Sequence, residues 1–127
     1  MNNTHKTLIV LTLVAVSLGC GYSKPSTTPT PGTSPTISLL KPASTSAGSA
    51  DFPLEVDGTN FATNAVINFG GAAMVTTSTG AGKVQATIPA SAVATSGMVA
   101  VTVTNPASGG IYGTPAVTSA AMNFTIN

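Results

Sequence analysis

The sequence predicts an all-β fold of two antiparallel sheets packed face to face, and three observations predict it. Short runs alternate apolar with polar residues, the period of a strand with one buried face. Gly, Pro and Asn cut these runs at intervals of about 8–12 residues, the spacing of a sandwich. Past residue 20 no run carries an amphipathic helical pattern, and the Gly, Pro and β-branched content opposes helix.

The stretch Phe52–Phe61 sets the pattern. Phe52, Leu54 and Val56 alternate with Pro53, Glu55 and Asp57. Asp57-Gly58-Thr59-Asn60 carries turn chemistry and is expected to end the strand, with Asx-type side-chain bonds inside the turn. Phe61 then returns an apolar anchor. Taken in order, Ile37–Leu40 reads as the first strand, stopped by Pro42. Ala43–Ala50 reads as a small-residue turn region and Phe52–Asp57 as the second strand. Ala65–Phe69 is the third, ended by Gly70-Gly71, and Met74–Thr77 a short fourth. Lys83–Ile88 points Val84, Ala86 and Ile88 inward and stops at Pro89. Ala90–Ala94 fits one helical turn. Met98–Thr104 places Val99, Val101 and Val103 on one face, and Asn105-Pro106 turns the chain. Met122–Ile126 closes the domain with Met122, Phe124 and Ile126 inward. About seven strands of this kind give an Ig-like antiparallel β-sandwich.

The chain before this domain reads as an address. Met1–Thr7 is polar, with His5 and Lys6, and Leu8–Leu18 is an apolar run. That run is about half of the ~20 residues a spanning helix needs, and it fits the apolar region of a signal peptide. Ser17-Leu18-Gly19-Cys20 follows. Gly19 and Cys20 resemble the lipobox of a bacterial lipoprotein precursor, with Ser17 where an aliphatic residue is usual. The resemblance implies a signal peptide over residues 1–19, a lipid on Cys20, and a membrane as partner. The alternative is a free cysteine. Gly21 is not the Asp that often marks inner-membrane retention, so the expected location is the outer membrane of the cell envelope. Residues 20–35 form a Pro/Thr/Ser-rich linker that buries too little to order itself. It is expected to act as a stalk, or as a leader without mechanical role. The domain spans 36–127.

Composition excludes several function classes. Charged residues are 6% of the chain, against roughly 25% in ordinary soluble domains. The net charge of +1 leaves no basic stripe, so nucleic acid is not an expected partner. One Cys cannot make an internal disulfide. No His follows Cys20, so Ser-His and Cys-His nucleophiles are excluded. Asp51, Glu55 and Asp57 are the only carboxylate side chains. Glu55 and Asp57 share one wet face and could approach each other, but a glycosidase pair must flank a cleft, which a lone convex sandwich rarely offers. There is no zinc ligand set, and Asp57–Asn60 lacks the further carboxylates of a calcium loop. The glycine pairs Gly70-Gly71 and Gly109-Gly110 lack the strand-to-helix context of a phosphate loop. Lys41 and Lys83 read as solubilising surface charges. No enzyme, metal or cofactor is expected.

Pro35–Asn127 resembles an IPT/TIG domain. Pro35-Thr36-Ile37 and Lys41-Pro42-Ala43 match its opening. Val56-Asp57-Gly58-Thr59-Asn60-Phe61 matches its Gly-x-Asn-Phe turn, and Ile67-Asn68-Phe69-Gly70-Gly71 its third strand. Val84–Ala90 and Val99–Pro106 match the two later strands. The resemblance implies an Ig-like fold of the kind found in bacterial surface proteins, some glycan-active enzymes, receptors and transcription factors. Two stretches depart from it. Thr77–Gly82 lacks the usual apolar residues, and Ala107–Ala120 is longer than the usual last hairpin.

That longer loop carries Ile111 and Tyr112 between glycines. They are the residues expected to bind, because Tyr gives a large contact at small entropic cost and sandwich loops carry recognition. The alternative is that both fold back over the sandwich edge. The expected function is a non-enzymatic envelope lipoprotein, a binding or adhesion module for a protein or glycan. Its rivals are a passive spacer or assembly subunit, and an accessory to a carbohydrate-active enzyme.

Overall fold

The structure, a computed structural model, describes residues 32–127. The signal-peptide, Cys20 and stalk readings, up to residue 31, lie outside the described residues. The strands are β1 (Thr36–Lys41), β2 (Ser44–Thr45), β3 (Phe52–Thr59), β4 (Val66–Phe69), β5 (Ala72–Ala73), β6 (Thr76–Gly80), β7 (Lys83–Ile88), β8 (Gly97–Asn105), β9 (Val117–Thr118) and β10 (Met122–Ile126). Two 3-10 turns, Ala90–Val93 and Gly110–Tyr112, complete the set.

One sheet runs β1-β3-β7-β6, and the other β2-β10-β8-β4-β5 with β9 on β8. All pairings are antiparallel except β2 with β10. The expected Ig-like sandwich is the fold. Leu40, Leu54, Val56, Val84, Ala86 and Ile88 turn inward from the first sheet. Ile67, Phe69, Val101, Val103, Phe124 and Ile126 meet them from the second, and Val93 plugs one end. Phe124 is fully buried, stacked on Phe52 at 5.8 Å and edge-on to Phe69 at 5.4 Å. Phe52, Val99 and Met122, which the alternation also marks as inward, are partly buried and pack against this core.

Three elements differ from expectation, each for a reason in the backbone. β3 does not end at Asp57: Gly58 pairs with Ile37 and Thr59 with Thr36. The bend falls at Asn60, the one non-glycine residue with positive φ (61°) among the described residues. Inside Ala43–Ala50 lies β2, which satisfies the open edge of β10. The Asn127 N–H donates to the Thr45 carbonyl at 2.8 Å, and the Thr125 N–H to that of Ala43 at 3.2 Å. Such pairing needs main chain only, so side-chain periodicity does not report it. The strand expected at Met74–Thr77 begins only at Thr76, because Met74 and Val75 form the crossing from β5 to β6, where the chain changes sheets. β5 pairs with β4, and β6 with β7. Thr76 Oγ1 pins the crossing: it accepts the Ile67 N–H at 2.9 Å and donates to the Met74 carbonyl at 2.8 Å.

The strands run between two poles. β1 starts and β8 ends at one pole; β8 begins at the other, where Ile126 pairs with Gly97. The incoming chain and Asn127 therefore sit at opposite ends.

Candidate binding site

Three segments meet at the pole where the chain comes in: Gly32–Thr33, the turn Asn60–Asn64, and the loop following β8. Asn105, the last residue of β8, ties them together. Its Oδ1 accepts the Ala62 N–H at 2.9 Å. Its Nδ2 donates to the Asn60 carbonyl at 2.7 Å and the Thr33 carbonyl at 3.4 Å. The Asn60 side chain donates to the Ser34 carbonyl at 3.4 Å. Pro106 follows and cannot continue the ladder, so the chain leaves the sheet with Asn105 locked in place.

Between these segments lies an open cleft of about 370 Å³. Phe61, Ala62, Pro106, Pro115 and Val117 give it apolar walls, and Asn60, Asn64, Asn105, Ser108 and Thr114 give amides and hydroxyls. No charged side chain lines it. Ser108 and Thr114 close the base of the loop twice. The Ser108 N–H donates to the Thr114 carbonyl at 3.0 Å, and the two hydroxyls share a hydrogen bond at 3.0 Å.

Beyond that bridge the loop ends in a tight tip. Gly109 and Gly110 hold φ of 85° and 62°. The Gly113 N–H donates to the Gly110 carbonyl at 3.1 Å. A Cβ on Gly113 would lie 1.4 Å from the Ser108 carbonyl oxygen, so the return path admits only glycine. This tip holds Ile111 and Tyr112 out in solvent, 91% and 81% exposed. They do not fold back over the sandwich edge, and they do not line the cleft. The cleft lining and the tip are separate surfaces of one loop.

A second polar cluster covers the outer face of the first sheet. Lys41 of β1 and Lys83 of β7 flank Glu55 and Asp57 of β3. Glu55 Oε1 lies 3.6 Å from Lys41 Nζ and 3.5 Å from Lys83 Nζ. Lys41 also donates to Asp57 Oδ2, and Lys83 Nζ faces Asp57 Oδ1 at 3.4 Å. The Lys41 hydrogen bond holds Asp57 below its ordinary carboxylate pKa and raises that of Lys41 itself. Asp57 Oδ1 has no hydrogen-bond partner. Lys83 Nζ compensates its charge as an ion pair at 3.4 Å. The two lysines are therefore cross-strand partners rather than free solubilising charges. The Asx-type turn is also corrected, since the Asp57 and Asn60 side chains bond to Lys41 and Ser34, on another part of the fold. Asp51 sits apart, at the opposite pole, where its Oδ1 accepts the Ala90 N–H at 2.8 Å and caps the 3-10 turn. Among the described residues no group of three or more His, Cys, Asp or Glu is placed to hold a metal ion.

The stretch that forms this sandwich has a family counterpart: the model described as the IPT/TIG domain matches residues 35–125. The chain belongs to the IPT/TIG family. IPT/TIG domains are Ig-like modules, typically non-catalytic and often used in adhesion or binding. Neither the curated proteins nor the solved structures offer a match to the chain. Among the described residues of this IPT/TIG chain no helix is long and apolar enough to cross a membrane.

The cleft and its organiser Asn105 were not legible in the sequence, where Asn105-Pro106 reads only as a turn. A strand-ending Asn placed before Pro was the one available signal. What the cleft offers chemically is hydrogen bonding between apolar walls, with no acid, base or nucleophile pair.

Proposed function

We propose that this IPT/TIG chain is a non-enzymatic cell-envelope lipoprotein, anchored through Cys20, whose sandwich recognises a protein or glycan. The observation that carries the reading is the uncharged cleft of about 370 Å³ at the pole organised by Asn105. Apolar walls with a few convergent amides and hydroxyls suit a neutral, hydroxyl- or amide-bearing ligand. Gly21 after Cys20 supports the outer membrane as the address.

A photo-crosslinking residue at Asn64, inside the cleft, tests recognition in intact cells. A discrete adduct at Asn64, absent from the same probe at Thr95 on the opposite pole, is the expected result. Equal labelling at both positions overturns it. The anchor is tested separately by palmitate labelling, which is expected to disappear in Cys20→Ala.

A second reading, an assembly subunit, is favoured by β6. It ends its sheet, and Thr76–Gly80 has no charge or proline to guard the free edge. A partner adding a strand there would crosslink at Ser78 and not at Asn64.

A further inference from the structure

The tip of the long loop and the attachment point of the leash share one pole. Gly32 packs against the loop itself: a Cβ there would lie 3.5 Å from Thr114 Cβ and 3.6 Å from a Val117 methyl. Cys20 precedes Gly32 by twelve positions. At about 3.1 Å per residue in an extended Pro-rich segment, that span reaches at most roughly 40 Å. A chain moored at Cys20 is thus held by the pole from which Ile111 and Tyr112 project.

The tip has the character of a bilayer-interface contact. Ile111 and Tyr112 are adjacent and almost wholly exposed, whereas the other exposed large apolar residues among the described residues, Leu39, Val75 and Met98, are scattered singly over the strands and their ends. Tyr favours the headgroup boundary, where its ring is shielded and its hydroxyl wet. No Lys, Arg, Asp or Glu follows Lys83, so the loop brings no charge that would have to be dehydrated. The charges of Lys41, Glu55, Asp57 and Lys83 neutralise one another on the sheet face.

We propose that the 110–112 tip docks on the lipid surface and sets the domain upright on its leash, with the Asn127 pole outermost. The proposal rests on the Cys20 anchor. Two side chains hold a membrane only marginally, as one acyl chain does, so the tip acts as the second of two weak attachments. Because the tip is uncharged, docking requires no anionic lipid.

The chain has no Trp and a single Cys, and both facts make the test clean. The chain from Cys20 onward, which contains the whole described sandwich, is coupled through Cys20 to a maleimide lipid in neutral phosphatidylcholine vesicles. This supplies the mooring whether or not cells lipidate Cys20, so failure of the anchor and failure of docking stay distinct. Tyr112→Trp is then read against Thr95→Trp at the far pole, with brominated lipid as quencher. The expected result is blue-shifted emission at position 112, quenched several-fold more strongly than at 95. Adding Ile111→Ser is expected to weaken that quenching. Emission at 112 that stays red and unquenched on the moored chain overturns the proposal. So does a tip that ignores lipid yet shifts on adding envelope protein or glycan, which would assign it to a macromolecular ligand.

Discussion

Phe52 of the first sheet and Phe124 of the second lie face to face across the core, centroids 5.8 Å apart and planes within 16°. Phe69 meets the same Phe124 ring edge-on. With no Trp in the chain, this trio supplies most of the aromatic mass between the sheets. Truncating Phe124→Ala removes the shared member and leaves a cavity that two β-sheets cannot close. Such changes cost about 3–5 kcal/mol. Urea unfolding of the variant is expected to show that loss, and a change below about 1 kcal/mol would mean the sheets are not packed through this ring.

Asn105 is the corresponding key at the pole. Asn105→Ala orphans the Ala62 N–H and removes both donors to the Asn60 and Thr33 carbonyls. These bonds are exposed or half-buried, so water takes up part of the loss and the net cost is about 0.5–1.5 kcal/mol. The variant is expected to keep its sheets but to lose hydrogen-exchange protection at Ala62. Unchanged protection there would remove Asn105 from its organising role.

The core was legible because it is periodic. Leu54-Glu55-Val56 and Val101-Thr102-Val103 announce their inward faces by alternation alone, and all four apolar residues are buried. What was illegible depends on main chain or on distant partners. β2 forms because β10 needs an edge partner, and Ser44 and Thr45 carry no pattern to say so. The Asn105 knot joins residues 43 and 45 positions upstream, beyond any local motif. The Lys41–Asp57 pair was missed likewise, since the pairing of β1 with β3 has to be known before two surface charges become neighbours.

That charge cluster predicts a pH dependence. Asp57 is held below its ordinary pKa of 3.8, chiefly by the Lys41 hydrogen bond. Its contribution is therefore complete above that value and disappears as pH falls through the lower, folded one. Lys41 is raised above 10.5, so its share is complete below that value and lost as pH rises through the folded one. Lys41 is exposed and Asp57 half-buried on an open sheet face, so the effect is modest and is screened by salt. In Asp57→Asn the acid limb of the stability profile is expected to flatten relative to the parent chain. An unchanged limb would show that the pair does not persist in solution.

Gly58 explains why the motif around Asn60 needs its glycine, and the reason is not a turn. It lies within β3 opposite Ile37, with φ outside the left-handed region. A Cβ there would lie 2.0 Å from the Thr36 carbonyl oxygen and 2.5 Å from Phe61 Cζ. The Phe61 ring can turn aside, but the Thr36 oxygen belongs to the backbone of the paired strand β1. On its other side Gly58 accepts little movement, because its N–H donates to the Gly82 carbonyl at 2.8 Å. Gly58→Ala must therefore push β1 off β3 near the leash pole, and overpacking of this kind costs about 1–3 kcal/mol. Gly80→Ala is the control. Its Cβ would meet nothing nearer than Lys83 Cδ at 3.9 Å, and its φ is not positive, so it is expected to be nearly neutral. Equal denaturation midpoints for the two variants would show that β1 and β3 are not in the close register described, and the pole that Thr33 and Asn105 share would lose its footing with them.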